Sequence, residues 1–274
     1  MIALIGNKNF SIIEMETIWK VVEACIIPII TYGGEVWDMT QQNFKAANQI
    51  LDRILKRILK VPMTTPREAL YLETGLLDPE SIIKKNRISM ESRIKRGQNQ
   101  QLKEIIKITN KGSWAEENSK LKAELEIEDN DFMESEYHLK NVLSKNMKKH
   151  FIDKMKESSE NKSKMQYYME GKLEVTGLRS KYINKLTRNQ VSTIMKARTR
   201  MLKVKDNYKN GHSDLSCRLC GNSEETQMHI LEKCQKLSQM TPIITKDMIF
   251  SENVTELKET AKMINERMKL IENV

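Results

Sequence analysis

The sequence predicts a mainly α fold that carries one small metal-stapled subdomain, and three observations lead there. Apolar residues recur at three- and four-residue spacing along most of the chain, the pattern of amphipathic helices. Aromatic residues make up only 5% of the 274 positions and charged residues 30%. Cores built from such a composition are thin, which disfavours one large sandwich or barrel. Finally, Cys217, Cys220, His229 and Cys234 fall at the spacing C-x2-C-x8-H-x4-C.

The first helix is marked by Ile12, Ile13, Met15, Ile18, Trp19, Val22 and Ile26, with Pro28 and then Tyr32-Gly33-Gly34 expected to end it. A second helix runs from Gln41 to Leu59 on an apolar stripe of Phe44, Ala47, Leu51, Ile54, Leu55, Ile58 and Leu59. Arg53, Lys56, Arg57 and Lys60 recur at i, i+3, i+4 and i+7 on another face of it. Thr65-Pro66-Arg67-Glu68 has the layout of a capping box with proline at the first helical position, so a third helix runs from Pro66 to Gly75. Asp78-Pro79 starts a fourth, expected to reach Ile108, which mixes Ile82, Ile83 and Ile88 with Lys84, Lys85, Arg87, Arg93, Lys95 and Arg96. Residues 1–96 therefore read as a small helical bundle.

Residues 97–179 read as a charged helical connector. The chain is acidic from Glu116 to Glu136, and the cluster Glu126-Ile-Glu-Asp-Asn-Asp131 is expected to be a solvated loop and not a divalent-metal site, since it lacks the glycine and terminal glutamate of a calcium loop. A helix follows over Lys140–Lys156 with Val142, Leu143, Met147, Phe151, Ile152 and Met155 as its stripe, and 158–163 reads as a linker or exposed helix end. Residues 180–240 combine a basic helix, Ser180 to Lys205, with the cysteine segment. Its apolar side is Ile183, Leu186, Val191, Ile194, Met195, Met201 and Leu202, and Arg188, Lys196, Arg198, Arg200, Lys203 and Lys205 crowd the remainder. Beyond Pro242, residues 241–274 carry a last amphipathic helix on Ile249, Val254, Leu257, Ala261, Ile264, Met268 and Ile271.

The cysteine segment has the chemistry of a closed zinc site. A Cys-x2-Cys turn closing on Gly221 lets two thiolates reach one ion, and His229 and Cys234, five apart on a short helix, supply two more ligands. The segment is polar and turn-rich, so it offers no apolar core in which three cysteines would be buried for packing alone. A closed Cys3His site holds structural Zn2+ and hydrolyses nothing. No catalytic residue is assigned.

Lys and Arg number 46 against 37 Asp and Glu, leaving a net charge of +9. That balance favours a polyanionic partner, RNA or DNA, because each phosphate neutralised releases condensed counterions. The candidate phosphate contacts are Arg53, Lys56, Arg57, Lys60, Lys196, Arg198, Arg200, Lys203 and Lys205. Few aromatics accompany them, so backbone contact is expected rather than base stacking. Cys25 has no evident disulfide partner, which suits a reducing compartment. The apolar run at residues 24–30 is too short to span a bilayer, and Met1-Ile-Ala-Leu-Ile-Gly6 lacks the basic region and cleavage site of a secretory signal. An intracellular protein, nuclear or cytoplasmic and without a membrane partner, is therefore expected.

Ala197-Arg-Thr-Arg-Met201, Cys217-Arg-Leu-Cys220 and Glu225-Thr226-Gln-Met-His229-Ile-Leu-Glu-Lys-Cys234 together resemble the C-terminal zinc-binding region of reverse transcriptases encoded by LINE-type (non-LTR) retrotransposons. Pro28-Ile-Ile-Thr-Tyr32-Gly33-Gly34-Glu35-Val-Trp37, Ile54-Leu-Lys-Arg-Ile-Leu-Lys-Val-Pro62, Thr65-Pro66 and Leu72-Glu73-Thr74-Gly75 are similar to the thumb that follows the polymerase palm in the same family. The two matches stand in family order and cover about half the chain. The resemblance implies that residues 1–96 form a thumb-like bundle gripping a template-primer duplex. It also implies that the zinc region holds template RNA or target DNA.

The family's polymerases carry an aromatic-x-Asp-Asp sequence that binds two magnesium ions, and no such sequence occurs here. The stretch after Cys234 is too short for the endonuclease that follows the zinc region in some members. The expectation is a catalytically incomplete C-terminal piece, not an enzyme by itself, for which a separate palm is a conceivable partner. The competing class is a zinc-stapled helical module that binds protein and no nucleic acid. Positive faces shared between the Arg53 helix and the Arg198 helix favour the first, and scattered ones the second.

Overall fold

A computed structural model describes residues 13–108, 113–172, 178–207 and 214–273. Ile12 and the N-terminal stretch Met1 to Gly6, on which sequence expectations rest, lie outside those residues. The fold is mainly helical, and among the described residues extended pairing is limited to an isolated antiparallel bridge between Ser216 and Glu224.

Helix α1 (Met15–Val21) passes through one π turn (Val22–Ile26) into α2 (Ile27–Thr31). Pro28 does not end this run. The π turn shifts the hydrogen-bond register just ahead of it, so the proline occupies a first-turn position where its missing N–H is tolerated. Met15–Val36 is consequently 22 residues with mean hydropathy 1.2, long and apolar enough to cross a membrane by those measures. Met15, Ile18, Trp19, Val22, Ile26 and Ile27 are buried, while more than half of that window is not. The run stops at Gly33, whose φ of 68° is left-handed and suits a residue without Cβ. Helices α3 (Gln41–Ile58) and α4 (Arg67–Thr74) follow, the latter closed by Gly75 at φ 65°.

Asp78 caps α5 (Pro79–Arg96), its carboxylate accepting from the Ser81 N–H at 2.9 Å. The helix expected to reach Ile108 stops at Arg96, and Asn99 caps a new one, α6 (Gln100–Ile105). The acidic region holds α7 (Trp114–Glu124) and α8 (Asp129–Met133), so the cluster expected as a solvated loop is a turn only over 126–128 and enters α8 from Asp129. The region's Leu121, Leu125, Ile127 and Phe132 close one core with Ile88 of α5 and with Leu139, Leu143 and Met147 of α9 (Glu136–Ser159). Four apolar residues among the acids outweigh the charge, which stays on the outer face.

The remaining helices are α10 (Ser163–Gly171), α11 (Lys181–Lys185), α12 (Arg188–Arg198), α13 (Gln235–Met240), α14 (Lys246–Phe250) and α15 (Val254–Glu272). The single basic helix expected over 180–205 is thus two shorter ones. Thr187 and Gln190 form a capping box that restarts the chain, and α12 ends before Arg200, whose φ is 53°.

The described chain divides into two compact units that interleave in sequence. The first takes in 13–19, 54–75 and described residues from 158 onward; the second takes in 20–53 and described residues of 76–157. The boundaries expected at 96, 179 and 240 do not coincide with this division. A buried ionic hub explains why α4 belongs with the C-terminal helices. Glu73 of α4 is wholly buried, and its Oε1 accepts from Arg198 Nη1 at 2.8 Å and from the Tyr168 hydroxyl at 3.0 Å. Its Oε2 accepts from the Ser180 hydroxyl and lies 3.4 Å from Lys172 Nζ. Burial alone would raise the Glu73 carboxyl, but Arg198, Lys172 and the Ser180 hydroxyl outweigh it and hold it well below the usual carboxylate range.

In the second unit Arg87, read from the sequence as part of a basic face, is buried too. Its guanidinium donates to Glu117 Oε2 at 2.6 Å and to the Trp37 carbonyl at 2.7 Å, and stacks on Trp114.

Because breaking one partner of a buried pair strands the other charge, Arg198→Ala should destabilise the first unit by about 3–5 kcal/mol, read by urea denaturation. Glu73 has a folded value below its unfolded one, so its contribution is present above the unfolded pKa of about 4.3 and is lost as pH falls toward the folded value. The stability gap between the parent and Glu73→Gln should therefore narrow as pH drops below about 4. A gap that stays constant with pH would contradict the hub.

Candidate metal centre and basic groove

The Cys-x2-Cys segment folds as a tight knuckle. Cys217 N–H donates to the Ser223 carbonyl at 2.8 Å, Gly221 N–H returns to the Cys217 carbonyl at 2.9 Å, and Gly221 turns the chain at φ 67°. His229 opens a π turn, His229–Lys233, rather than an α-helical one, and Cys234 follows it with its N–H on the His229 carbonyl at 2.7 Å. The wider turn brings two residues five apart back to one point.

The ligand atoms of Cys217, Cys220, His229 and Cys234 all lie within 4.8 Å of one another, and Cys220 Sγ is 3.3 Å from His229 Nε2. Cys217 and Cys234 are buried and Cys220 is half-buried. The four sequence-predicted ligands thus converge on one small volume of three sulfurs and one imidazole, a donor set that suits a tetrahedral thiophilic ion such as Zn2+. Burial raises the Cys217 thiol and lowers the His229 imidazole. Cys220 sits below its ordinary value although burial opposes this, because the Asn222 N–H and the neighbouring thiols donate toward its sulfur. The imidazole is therefore held in its ligating form, while the thiols release protons as an ion enters.

Two buried side chains that the sequence reading missed hold the halves of this cluster. Glu225 accepts from Arg218 Nη2 at 2.7 Å, Arg218 Nε at 2.9 Å and the Arg218 and Lys205 N–H groups at 3.1 Å each, which locks the knuckle to the segment after α12. Arg267 of α15 donates to the carbonyls of Ile230 and Leu231, inside the π turn, at 2.7 and 2.8 Å.

The nine cations expected on phosphate divide into four groups. Arg198 is withdrawn altogether: besides Glu73 it donates to the Ile249 carbonyl at 2.9 Å and the Ser251 carbonyl at 3.1 Å, and it packs on Tyr182 and Phe250. The expectation that it meets solvent phosphate is corrected by this burial. Lys56, Arg200, Lys203 and Lys205 are engaged at the surface. Lys56 Nζ donates to the Met63 carbonyl at 2.7 Å, Arg200 sits over the Tyr167 ring, Lys203 lies 3.1 Å from Glu272, and Lys205 Nζ reaches the Ser216 carbonyl at 2.8 Å. Arg53 and Arg57 are exposed on α3, Arg53 falling in the second unit.

Lys60 and Lys196 remain, and the fold brings them together. They line a groove of about 550 Å³ with Lys203, Lys269, Asn189, Ser192, Thr193 and Asn265, and with one carboxylate, Glu272, which pairs with Lys203 and leaves the other lysines without an acid among the described residues. Lys60 Nζ donates to Asn189 Oδ1 at 2.9 Å and the Thr193 hydroxyl to Asn265 Oδ1 at 2.8 Å, so both amides present their NH2 groups. Lys196 is half-buried and has no carboxylate partner among the described residues. Burial and then the Lys60 charge lower its pKa. Two ammonium groups repelling one another in a concave site lined by further donors suit an anion.

No protein-family model, curated protein or solved structure matches this chain.

Purified protein should bind one Zn2+ per chain by elemental analysis, with Zn–S of about 2.3 Å by X-ray absorption. Cys220→Ser should lose that stoichiometry and make residues 214–240 protease-sensitive while the second unit keeps its protection, because metal binding is folding energy for so small a knuckle. Equal loss of protection in both units would contradict a metal centre confined to the first.

Proposed function

We propose that this chain binds nucleic-acid backbone, template RNA or target DNA, as a catalytically incomplete C-terminal piece of a LINE-type reverse transcriptase, its metal centre structural Zn2+. The observation that carries the reading is the groove, in which Lys60, ahead of α4, and Lys196 of α12 sit without carboxylates on either. The two basic segments singled out in the sequence contribute to one positive concavity. Its donors are ammonium groups and side-chain amides with no stacking aromatic among them. That chemistry grips phosphate and leaves bases unread. The resemblance of the thumb-like and zinc-binding stretches agrees with it, and the charge of +9 draws a polyanion to the surface.

On this reading the protein performs no nucleotidyl transfer by itself, since its 274 residues contain no aromatic-x-Asp-Asp pair to hold magnesium. A separate palm would have to supply it. One observation favours the competing reading, a module that binds protein: in the second unit a cleft of about 720 Å³ is lined by Tyr32, Met90, Ile94 and Leu102, with Tyr32 86% exposed.

Salt dependence separates the two. Log affinity for an oligonucleotide should fall linearly with log salt. The double variant Lys60→Gln, Lys196→Gln should flatten the slope by about 1.4 on single strands or about 1.8 on duplex, alike for unrelated sequences. An unchanged slope would remove the groove from the reading, and salt-independent binding would favour the protein-binding module. With primer, template, nucleotides and magnesium, the protein should extend nothing; extension by a homogeneous preparation would overturn the assignment as non-catalytic.

A further inference from the structure

Arg267 is wholly buried, and it differs from the other buried arginines in having no acid. Arg87 has Glu117 at 2.6 Å and Arg198 has Glu73 at 2.8 Å. Around Arg267 no described carboxylate comes within ion-pair reach. Nη1 donates to the carbonyls of Ile230 and Leu231 at 2.7 and 2.8 Å, and Nη2 to those of Thr241 and Pro242 at 3.0 and 2.6 Å. Four carbonyl dipoles ease the burial of a guanidinium without neutralising it, and an unpaired buried charge is strongly unfavourable.

The missing counter-charge is supplied if the neighbouring cluster holds its ion. A divalent cation bound by three thiolates and a neutral imidazole leaves the centre with a net charge of −1. Ile230 and Leu231 stand between the ligands His229 and Cys234, so the guanidinium clasps the very turn that closes the cluster. Burial works against the charge of Arg267, and Cys234, once its sulfur is deprotonated by an entering ion, is the group whose field favours it.

We propose that Arg267 is the buried counter-charge and positioning residue of the metal–thiolate centre, so that the ion and helix α15 stabilise one another. The proposal rests on the Cys3His cluster being a metal centre. It makes Arg267 a cation that is uncompensated in the metal-free protein and neutralised in the loaded one. Metal therefore strengthens the docking of α15, and a docked α15 strengthens metal binding by the same factor, since linkage is reciprocal.

The test compares full-length parent, Arg267→Met and Arg267→Lys by competition of Zn2+ against a chromophoric chelator, with Co2+ absorption reporting the ligand field. Arg267→Met should bind Zn2+ roughly 10- to 100-fold more weakly, as loss of an outer partner to a metal ligand set typically does. Arg267→Lys, which keeps the charge and loses the fork, should fall between it and the parent. A purely structural role is distinguished by melting temperature: the loss of four carbonyl partners lowers the metal-free melting temperature in either case, but the rise produced by Zn2+ should shrink in Arg267→Met only if Arg267 serves the metal centre. Combined with Cys234→Ser, which leaves a centre of two thiolates and no net charge, Arg267→Met should have little further effect.

Equal Zn2+ affinity in parent and Arg267→Met overturns the proposal, as does a full effect that persists beside Cys234→Ser. If Arg267→Met does not fold, Arg267→Lys decides: retained Zn2+ binding supports the counter-charge, and loss as complete as in Cys220→Ser overturns it. A parent that takes up no metal sinks the metal centre itself, whereas a parent that loads fully beside an equally loaded Arg267→Met sinks only the role of Arg267.

Discussion

The ion pair between Glu73 and Arg198 is the constraint on which the first unit depends. Neither charge reaches water, so each is tolerable only while the other is in place. Their donors and acceptors come from α4, α10, α11, α12 and the end of α14, and satisfying them fixes where those short helices lie. Helices of five to eleven residues are marginal alone. Here a single carboxylate accepts from three of them. The covalent order of the chain, which separates α4 from α12 by more than a hundred residues, is overridden by the cost of leaving Glu73 unpaired.

Arginine also takes over work that aromatic side chains perform in richer cores. With aromatic residues at 5%, the largest fully buried side chains include Arg87, Arg198 and Arg267 beside Trp19. A guanidinium brings five donors in a plane and an apolar stem. Each of the three turns those donors on carbonyls that no helix can satisfy: Trp37 for Arg87, Ile249 and Ser251 for Arg198, and Ile230, Leu231, Thr241 and Pro242 for Arg267. Loop and helix-end carbonyls are thus paired inside a protein with few strands to do it.

Much of this was legible in the sequence. Helices α3 and α4 fall where periodicity puts them and α5 starts at its Asp78 cap, but the Thr65 capping box does not form: Pro66 is the N-cap of α4 and the Thr65 hydroxyl is buried without a partner. The spacing of Cys217, Cys220, His229 and Cys234 anticipated their convergence. Arg198 was misread because charge was taken as a sign of solvent. Val191, Ile194 and Met195 precede it at i−7, i−4 and i−3, so it continues the buried stripe, whereas Lys196 steps off it. The same spacing places Arg267 after Thr260 and Ile264 and before Ile271, all buried. The acidic stretch was misread for the opposite reason: composition was averaged over residues whose four apolar members sit on one face. Glu225 left no such trace, since its partners Arg218 and Lys205 lie at loop distances that periodicity does not encode.

Once the engaged cations are set apart, the surface charge has a different meaning from the net +9. Arg198 is neutralised by the buried Glu73 and Arg87 by the half-buried Glu117, Lys203 has Glu272, and Lys205 and Lys56 rest on carbonyls. Among the described cations that the fold draws into a concavity or the interior, Lys196 beside Lys60 in the groove and Arg267 beside the cysteine cluster have no carboxylate partner. Both are places where the folded chain holds positive charge that it does not itself balance, and on the proposed reading phosphate balances one and a metal–thiolate anion the other. Helix α15 joins them: Arg267 and Lys269 are two positions apart, about 200° around the helix, so one faces the metal turn and the other the groove. On the proposed reading, an ion that fixes the first end of that relation also fixes where Lys269 stands, so the metal centre bears on how the groove meets an anion.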